Sequence, residues 1–216
     1  MARAHAAADA AADSGKTRYH HGDLKNALQA AASALIAQRG AEAVSLREIS
    51  QAAGVSHAAA YRHYADKQAL LADLAEAGFR ELIAINRRTV AATAGGPAAQ
   101  LQACGRAYVR FGVRQPQLLQ LMFGAAITDW QAHPSLAGAS AALADTLSDV
   151  VKAGQASGAL REGDVGDLTL TAWSLVHGLA LLMAGRRIPQ AAVDAAFVRR
   201  ASQRCVALLI DGLGRR

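Results

Sequence analysis

The chain has 216 residues, enough for one large or two modest domains, and 52% of them are hydrophobic, ample for a core. Aromatic residues make up only 5%, alanine supplies much of the apolar content, and alternating or β-branched runs are scarce, which excludes a sheet protein and indicates an all-α fold. The net charge of +6 suits a polyanionic partner without requiring one, because Arg186, Arg187, Arg199, Arg200, Arg204, Arg215 and Arg216 hold much of the excess.

Cys104 and Cys205 fall inside apolar helical patterns, the setting of small buried thiols rather than of a disulfide frame or a metal site. The amino-terminal alanines are interrupted by His5, Asp9 and Asp13, so they do not read as a secretory signal. The longest apolar run, Leu168–Ala184, contains Thr169, Thr171, Ser174 and His177. It is short and polar for a membrane span and is expected to be a buried helix, which leaves a cytoplasmic protein with no membrane partner.

In chain order, residues 1–20 lack periodic bulky side chains and are expected to be a disordered tail, and Arg18-Tyr19-His20-His21, just before the first helix, reads equally as a basic arm for phosphates or a minor groove and as an ordinary solvated leader. A first helix, Asp23–Arg39, carries an apolar stripe of Leu24, Ala27, Leu28, Ala31, Leu35 and Ile36, and Gly40 stops it. Ser45, with Glu48 three residues on, is a capping box for a second helix, Leu46–Ala53, and Gly54 turns the chain. Ser56 then caps a third helix, His57–Tyr64. At 100° per residue, Ala60 and Tyr64 point inward with Val55, while His57, Ala58, Tyr61 and Arg62 share the outer face. A small, polar, cationic and aromatic outer face on a supported second helix is a helix-turn-helix reader for the DNA major groove.

Asp66 caps a long fourth helix that runs from Lys67 to about Thr93 and, at ~1.5 Å per residue, is ~40 Å long. Its start lies beside the reader and its end in whatever follows. After the Ala94-Gly95-Gly96-Pro97 break, a fifth helix reaches Arg114, and Pro116 opens a short sixth with Leu118, Leu119, Leu121, Met122 and Phe123. A loop near Asp129–Pro134 precedes a seventh helix, Ser135–Ser157; an eighth, Asp164–Ala184, and a ninth, Pro189–Leu213, complete about nine helices.

The stretches HHGDLKNAL and LREISQAAGVSHAAAYRHYADKQALL resemble the amino-terminal domain of tetracycline-repressor-like (TetR family) transcriptional regulators. Gly40, Gly54-Val55, Tyr61, His63, an aromatic residue at 64 and Lys67 stand where that family places them, and Trp173-Ser174-Leu175-Val176-His177-Gly178 resembles the Trp-x-x-x-His-Gly signature of one carboxyl-terminal subtype. The resemblance implies a helix-turn-helix DNA-binding domain over 21–81, with its motif at 45–64, and an effector-binding and dimerisation domain over 82–216. It implies an Ω-shaped homodimer, joined through the eighth and ninth helices, that represses from a palindromic operator and is released by a small hydrophobic effector. By matching position, Ser45 and Arg47 contact backbone or base, His57, Ala58, Ala59 and Arg62 face bases, and Tyr61, His63 and Lys67 hold phosphates. Ala58 and Ala60 replace the bulkier or proline residues often found there, which leaves base preference open. No cofactor, metal or catalytic group is implied.

The chemistry fits those roles. Arg47 and Arg62 can each donate a bidentate pair to a guanine edge, worth ~1–3 kcal/mol of discrimination. His57 and His63, six residues apart, do not form an i, i+4 metal pair. Tyr108, Phe111, Met122, Phe123, Trp130, Trp173 and His177 are most of the large or polarizable groups outside the reader and are the candidate effector-pocket lining, although such residues also build cores. Two other functions compete: a constitutive or architectural DNA binder, which a cavity of several hundred Å³ would argue against, and an all-α enzyme. The enzyme lacks a Gly-rich phosphate loop, paired metal spacing and a nucleophile motif.

Overall fold

The computed structural model describes residues 21–185, 187–188 and 194–213, so the expected tail with Arg18, Tyr19 and His20 lies outside the described residues. Within them the chain forms nine helices: α1 His21–Arg39, α2 Leu46–Ala52, α3 His57–Tyr61, α4 Lys67–Ala92, α5 Gly96–Arg114, α6 Pro116–Phe123, α7 Pro134–Ala156, α8 Val165–Ala184 and α9 Ala195–Leu213. The starts follow local chemistry. Ser45 and Glu48 form both halves of a capping box, Ser56 accepts from the Ala59 amide, Asp66 from the Ala69 amide, and Asp164 from the Asp167 amide. Such caps contribute about 1 kcal/mol each. Proline opens α5, α6 and α7, where its missing N–H costs nothing.

In the amino-terminal unit, Leu28, Ala32 and Ile36 of α1 meet Leu46 and Ile49 of α2, Ala60 and Tyr64 of the α3 turn, and Leu70, Leu71 and Leu74 of α4. Gly54 makes the α2–α3 turn at φ +67°, a conformation that a side chain would strain. The carboxyl-terminal half is built around α5, which packs against α4, α7, α8 and α9. At Gly112 of α5 the helices come too close for a larger residue: a Cβ would lie 2.8 Å from Leu119 of α6 and 3.0 Å from Ala180 of α8. One apolar core runs without interruption from Leu28 to Val206, and α4 carries buried residues from Leu70 to Asn86. A domain boundary after residue 81 therefore cuts through a continuous helix.

Three expectations need correction, and a fourth falls partly outside the described residues. The third helix ends at Tyr61, not Tyr64; the chain makes one tighter turn, with the His63 and Tyr64 amides on the Ala60 carbonyl, because Asp66 must swing out in extended geometry to cap α4. The ninth helix is seen from Ala195, and its expected start at Pro189 lies outside the described residues. Cys104 is buried, which pushes its thiol up to about 11, but Cys205 is only half-buried, on the flank of α9. The apolar run forming α8 is not a wholly buried helix. Among the described residues α8 is the one helix long and apolar enough to cross a membrane, yet only 28% of that window is buried. One stripe (Ala172, Val176, Ala180, Met183) packs inward while Leu170, Leu181 and Leu182 stand outside.

Candidate nucleic-acid interface and effector cavity

The outer face of α3 is assembled as its periodicity requires. His57, Ala58, Tyr61 and Arg62 are exposed, Tyr61 to 49%, and the His57 and Tyr61 rings meet edge to face at 4.7 Å. An exposed phenol braced by a neighbouring ring presents its hydroxyl outward at low entropic cost. Arg47 is exposed on α2. The Ser45 hydroxyl is engaged locally: it donates to Glu48 Oε2 at 2.8 Å and accepts from the Glu48 amide, and Arg39 reaches Glu48 Oε1 at 3.0 Å. The hydrogen bonds from the Ser45 hydroxyl and backbone, then Arg39, hold the Glu48 carboxyl below its ordinary value. Lys67 donates to the Glu42 carbonyl at 3.1 Å, tying the start of α4 to the α1–α2 loop.

Behind the reader lies a polar junction. Tyr64 donates to Asp73 Oδ2 at 2.6 Å, Gln29 to the same oxygen at 2.9 Å, and the Lys25 ammonium sits 2.9 Å from it. Burial and the adjacent Asp73 push the Tyr64 phenol far up, so it remains a donor. Burial alone would raise Asp73, but the hydrogen bonds from Tyr64 and Lys25 and the Lys25 charge outweigh it, and the carboxyl is lowered. Residues of α1, the α3 turn and α4 thus converge on one carboxylate oxygen. Further along, Gln68 of α4 uses both ends of its amide, donating to the Ala126 carbonyl at 3.0 Å and accepting from the Thr128 amide at 3.1 Å, so it clamps the α6–α7 loop.

A cavity of about 460 Å³ opens among α4, α5, α7, α8 and α9, within the size range of small-molecule sites. Its wall is mostly apolar (Leu101, Leu143, Leu147, Val176, Val206, Leu209), with Phe123, Trp173 and Tyr108 at one side. Tyr108 is held from behind: its hydroxyl is 2.7 Å from His177 Nδ1 and accepts from Trp173 Nε1 at 3.4 Å. Burial disfavours charge on His177 and lowers its pKa, so the ring is neutral and its Nδ1 shares one hydrogen bond with the Tyr108 hydroxyl, the tautomer setting which of the two donates. Among the described residues no three His, Cys, Asp or Glu side chains converge as metal ligands would.

Comparison with known proteins fits both halves. Residues 28–74 match the family described as bacterial regulatory proteins, tetR family, and residues 101–211 match tetracyclin repressor-like, C-terminal domain. A solved protein of unknown function from Rhodococcus sp. RHA1 is 34% identical, with a TM-score of 0.80 over 93% of this chain and 100% of its own. The chain belongs to the TetR family of transcriptional regulators. The same fold recurs in a tetR-family bacterial regulatory protein from Rhodococcus RHA1 at 18% identity (TM-score 0.70, 89% of this chain and 98% of that one). It recurs in the TetR family transcriptional regulator PfmR of Thermus thermophilus at 20% identity (TM-score 0.68, 87% and 99%). No match was found among curated proteins.

In this TetR-family chain the expected DNA-facing residues fall into groups. His57, Ala58, Tyr61, Arg62 and Arg47 share the exposed surface, and His63 and Lys67 are half-buried at its edge. Ala59 is instead buried: its position leans toward Ala60 and the core, and its amide is spent on Ser56. Of the seven candidate pocket residues, Tyr108, Phe123 and Trp173 line the cavity. Phe111 and Met122 are core, Trp130 packs against Phe79 at 6.0 Å between ring centres, and His177 stands behind Tyr108. The sequence reading missed Asn86, Ser148 and Thr169 in the wall and the Asp73 junction. A signal for Asn86 was present, since it continues the Leu71, Ala75, Phe79, Leu82 stripe of α4 as its one polar member.

Proposed function

We propose that the protein is a homodimeric, effector-released repressor that grips a palindromic operator with α3 and its flanks. The observation that carries the effector half is the 460 Å³ apolar cavity between the long helix α4 and α5, α7, α8 and α9. A purely architectural DNA binder has no use for such a space. Arg47, Arg62, His57 and Ala58 meet base edges; Tyr61, His63 and Lys67 meet phosphates; Ser45 contributes at the exposed start of α2, its hydroxyl and amide both committed to Glu48. The reader unit spans 21–81 and the sensing and dimerising unit 82–216, with α4 common to both. Assignment of the latter to the Trp-x-x-x-His-Gly subtype is supported by Trp173 and His177 meeting around the Tyr108 hydroxyl.

Two copies pair through α8 and α9. The outward stripe of α8 (Thr171, Ser174, Gly178, Leu181, Leu182) has small residues at its centre, and a Cβ built on Gly178 would meet no described atom within 4 Å beyond its own stretch of helix. That open strip lets a second helix approach closely. Paired readers then sit about 34–36 Å apart, or a multiple of it. An effector in the cavity favours a dimer with α4 displaced and the readers wrongly spaced. Converting 99% competent dimers to 1% requires a preference of about 10⁴, roughly 5.5 kcal/mol. The proposal contains no catalytic step and places the protein with the DNA, in the cytoplasm.

The test is footprinting on the DNA upstream of the protein's own gene, followed by mobility-shift titration with and without compounds that bind the carboxyl-terminal half. We expect a two-fold symmetric footprint, a loss of ~0.9 log units of affinity per log unit of salt for each neutralised phosphate, and release by at least one such compound. Operator affinity indifferent to every compound that binds there overturns effector control; indifference to salt overturns the phosphate contacts.

A further inference from the structure

Resting on that reading of the cavity, we propose that its ligand is an uncharged, largely apolar molecule with one hydrogen-bond donor, a hydroxyl or an N–H, presented to Asn86 Oδ1. Asn86 sits in the cavity wall with 7% of its surface exposed. Its Nδ2 donates to Thr146 Oγ1 at 3.2 Å. Thr146 has already given its only hydroxyl proton to the Leu143 carbonyl at 2.7 Å, so it offers Asn86 lone pairs alone. That fixes which way the amide faces: Nδ2 toward Thr146, Oδ1 away from it. Among the described residues Oδ1 receives no hydrogen bond, the one buried side-chain oxygen or nitrogen of which this holds. A buried acceptor without a donor is costly, and the cost is recovered when a donor enters with the ligand.

The remaining wall narrows the chemistry. Among the described residues no Lys, Arg, His, Asp or Glu side chain lines the cavity, so a carboxylate, phosphate or ammonium entering it leaves its hydration without a counter-charge. The Tyr108 hydroxyl is committed to His177 and Trp173, and Ser148 and Thr169 bond each other at 3.3 Å. Ser140, the other hydroxyl in the wall, is only half-buried, so Asn86 Oδ1 is the one fully buried polar atom facing the cavity that lacks a partner among the described residues. An ether or ester of the same size fills the space but leaves Oδ1 unmet.

The experiment uses the full-length protein and N-phenyl-1-naphthylamine, a neutral fluorescent amine with one N–H, displaced by four compounds of one skeleton: dodecan-1-ol, 1-methoxydodecane, dodecanoate and dodecylammonium. The alcohol should displace the dye at concentrations about tenfold or more below those of the ether and both ions. Asn86→Leu should bring alcohol and ether within about twofold of each other, because the hydrogen bond that separated them is gone. If that variant loses its helical circular dichroism, Asn86→Ala replaces it. Equal displacement by alcohol and ether in the wild type, tighter binding of either ion, or displacement by none of the four overturns the inference while leaving a cavity that binds the dye. Dye fluorescence that never rises, or that survives filling the cavity with Ser148→Phe, fails the underlying reading of the cavity itself.

Discussion

Tyr64 ends the reader turn with its ring in the core, and its hydroxyl needs an acceptor there; Asp73 provides it and draws in Lys25 and Gln29 as well. Asp73→Ala removes the acceptor from a buried phenol and unties α1 from α4, so a loss of about 1–3 kcal/mol is expected in denaturant unfolding. Because folding lowers the Asp73 pKa, its contribution is complete above the ordinary carboxylate range and is lost as pH falls through the folded value. Stability of the wild type should therefore fall more steeply than that of Asp73→Ala as pH drops below the carboxylate range. Parallel curves would deny Asp73 this role. At the surface, Arg62 is free to point at bases, whereas Lys67 already spans to the Glu42 carbonyl. In binding assays over operator variants, Arg62→Ala should flatten base preference at one position by about 1–3 kcal/mol. Lys67→Ala should weaken all sequences alike and reduce the salt slope by about 0.9. Identical profiles would refute that division of labour.

Within the shared core, α6 and the loop after it connect the cavity to the start of α4. Phe123, the last residue of α6, lines the cavity and touches Trp173 and Phe79 through ring contacts. The loop that follows is held to α4 by the two hydrogen bonds of Gln68, one turn from the Asp66 cap and the reader. A ligand that shifts Phe123 therefore pulls on α4 at its start as well as along its length. Gln68→Ala cuts this link without touching cavity or reader. Ligand affinity and ligand-free operator affinity should each stay within about twofold, while the ligand's effect on operator binding falls by about 1 kcal/mol, as expected for two exposed or half-exposed hydrogen bonds. Mobility-shift titrations at saturating and zero ligand measure it; an unchanged coupling would show that the signal bypasses the loop.

Across the whole molecule, what was legible in the residues is what short-range physics dictates. Ser45, Ser56 and Asp66 marked three helix starts because a cap acts on its own first turn, and Pro97 and Pro116 marked two more, whereas Pro134, expected to end a loop, is itself the first residue of α7. Periodicity also told inner from outer on α3. It does not tell what an inner face meets: Met122 and Asn86 both point inward, yet one fills the core and the other borders a cavity. The same limit applies to α8, whose continuous apolar character hid the fact that one side is left outside. That side is where the strongest whole-molecule prediction lies. Leu182 of α8 and Leu208 of α9 are 50% and 71% exposed, and Leu170 and Leu181 of α8 are exposed as well, so four of the five exposed large apolar residues among the described ones lie on these two helices, which a monomer has no reason to leave in water. Fully burying a leucine contributes about 1.5–3 kcal/mol, and two-fold symmetry counts each residue twice. Leu182→Asp with Leu208→Asp replaces that gain by carboxylates facing their own copies, while leaving the subunit core intact. Sedimentation velocity at micromolar concentration should show the wild type as a dimer and the double variant as a monomer with unchanged circular dichroism. Operator affinity should fall by about a hundredfold or more, because a lone reader unit loses the second half-site. A double variant that stays dimeric would move the interface elsewhere on the molecule. One that becomes monomeric yet binds the operator undiminished would sever DNA binding from pairing.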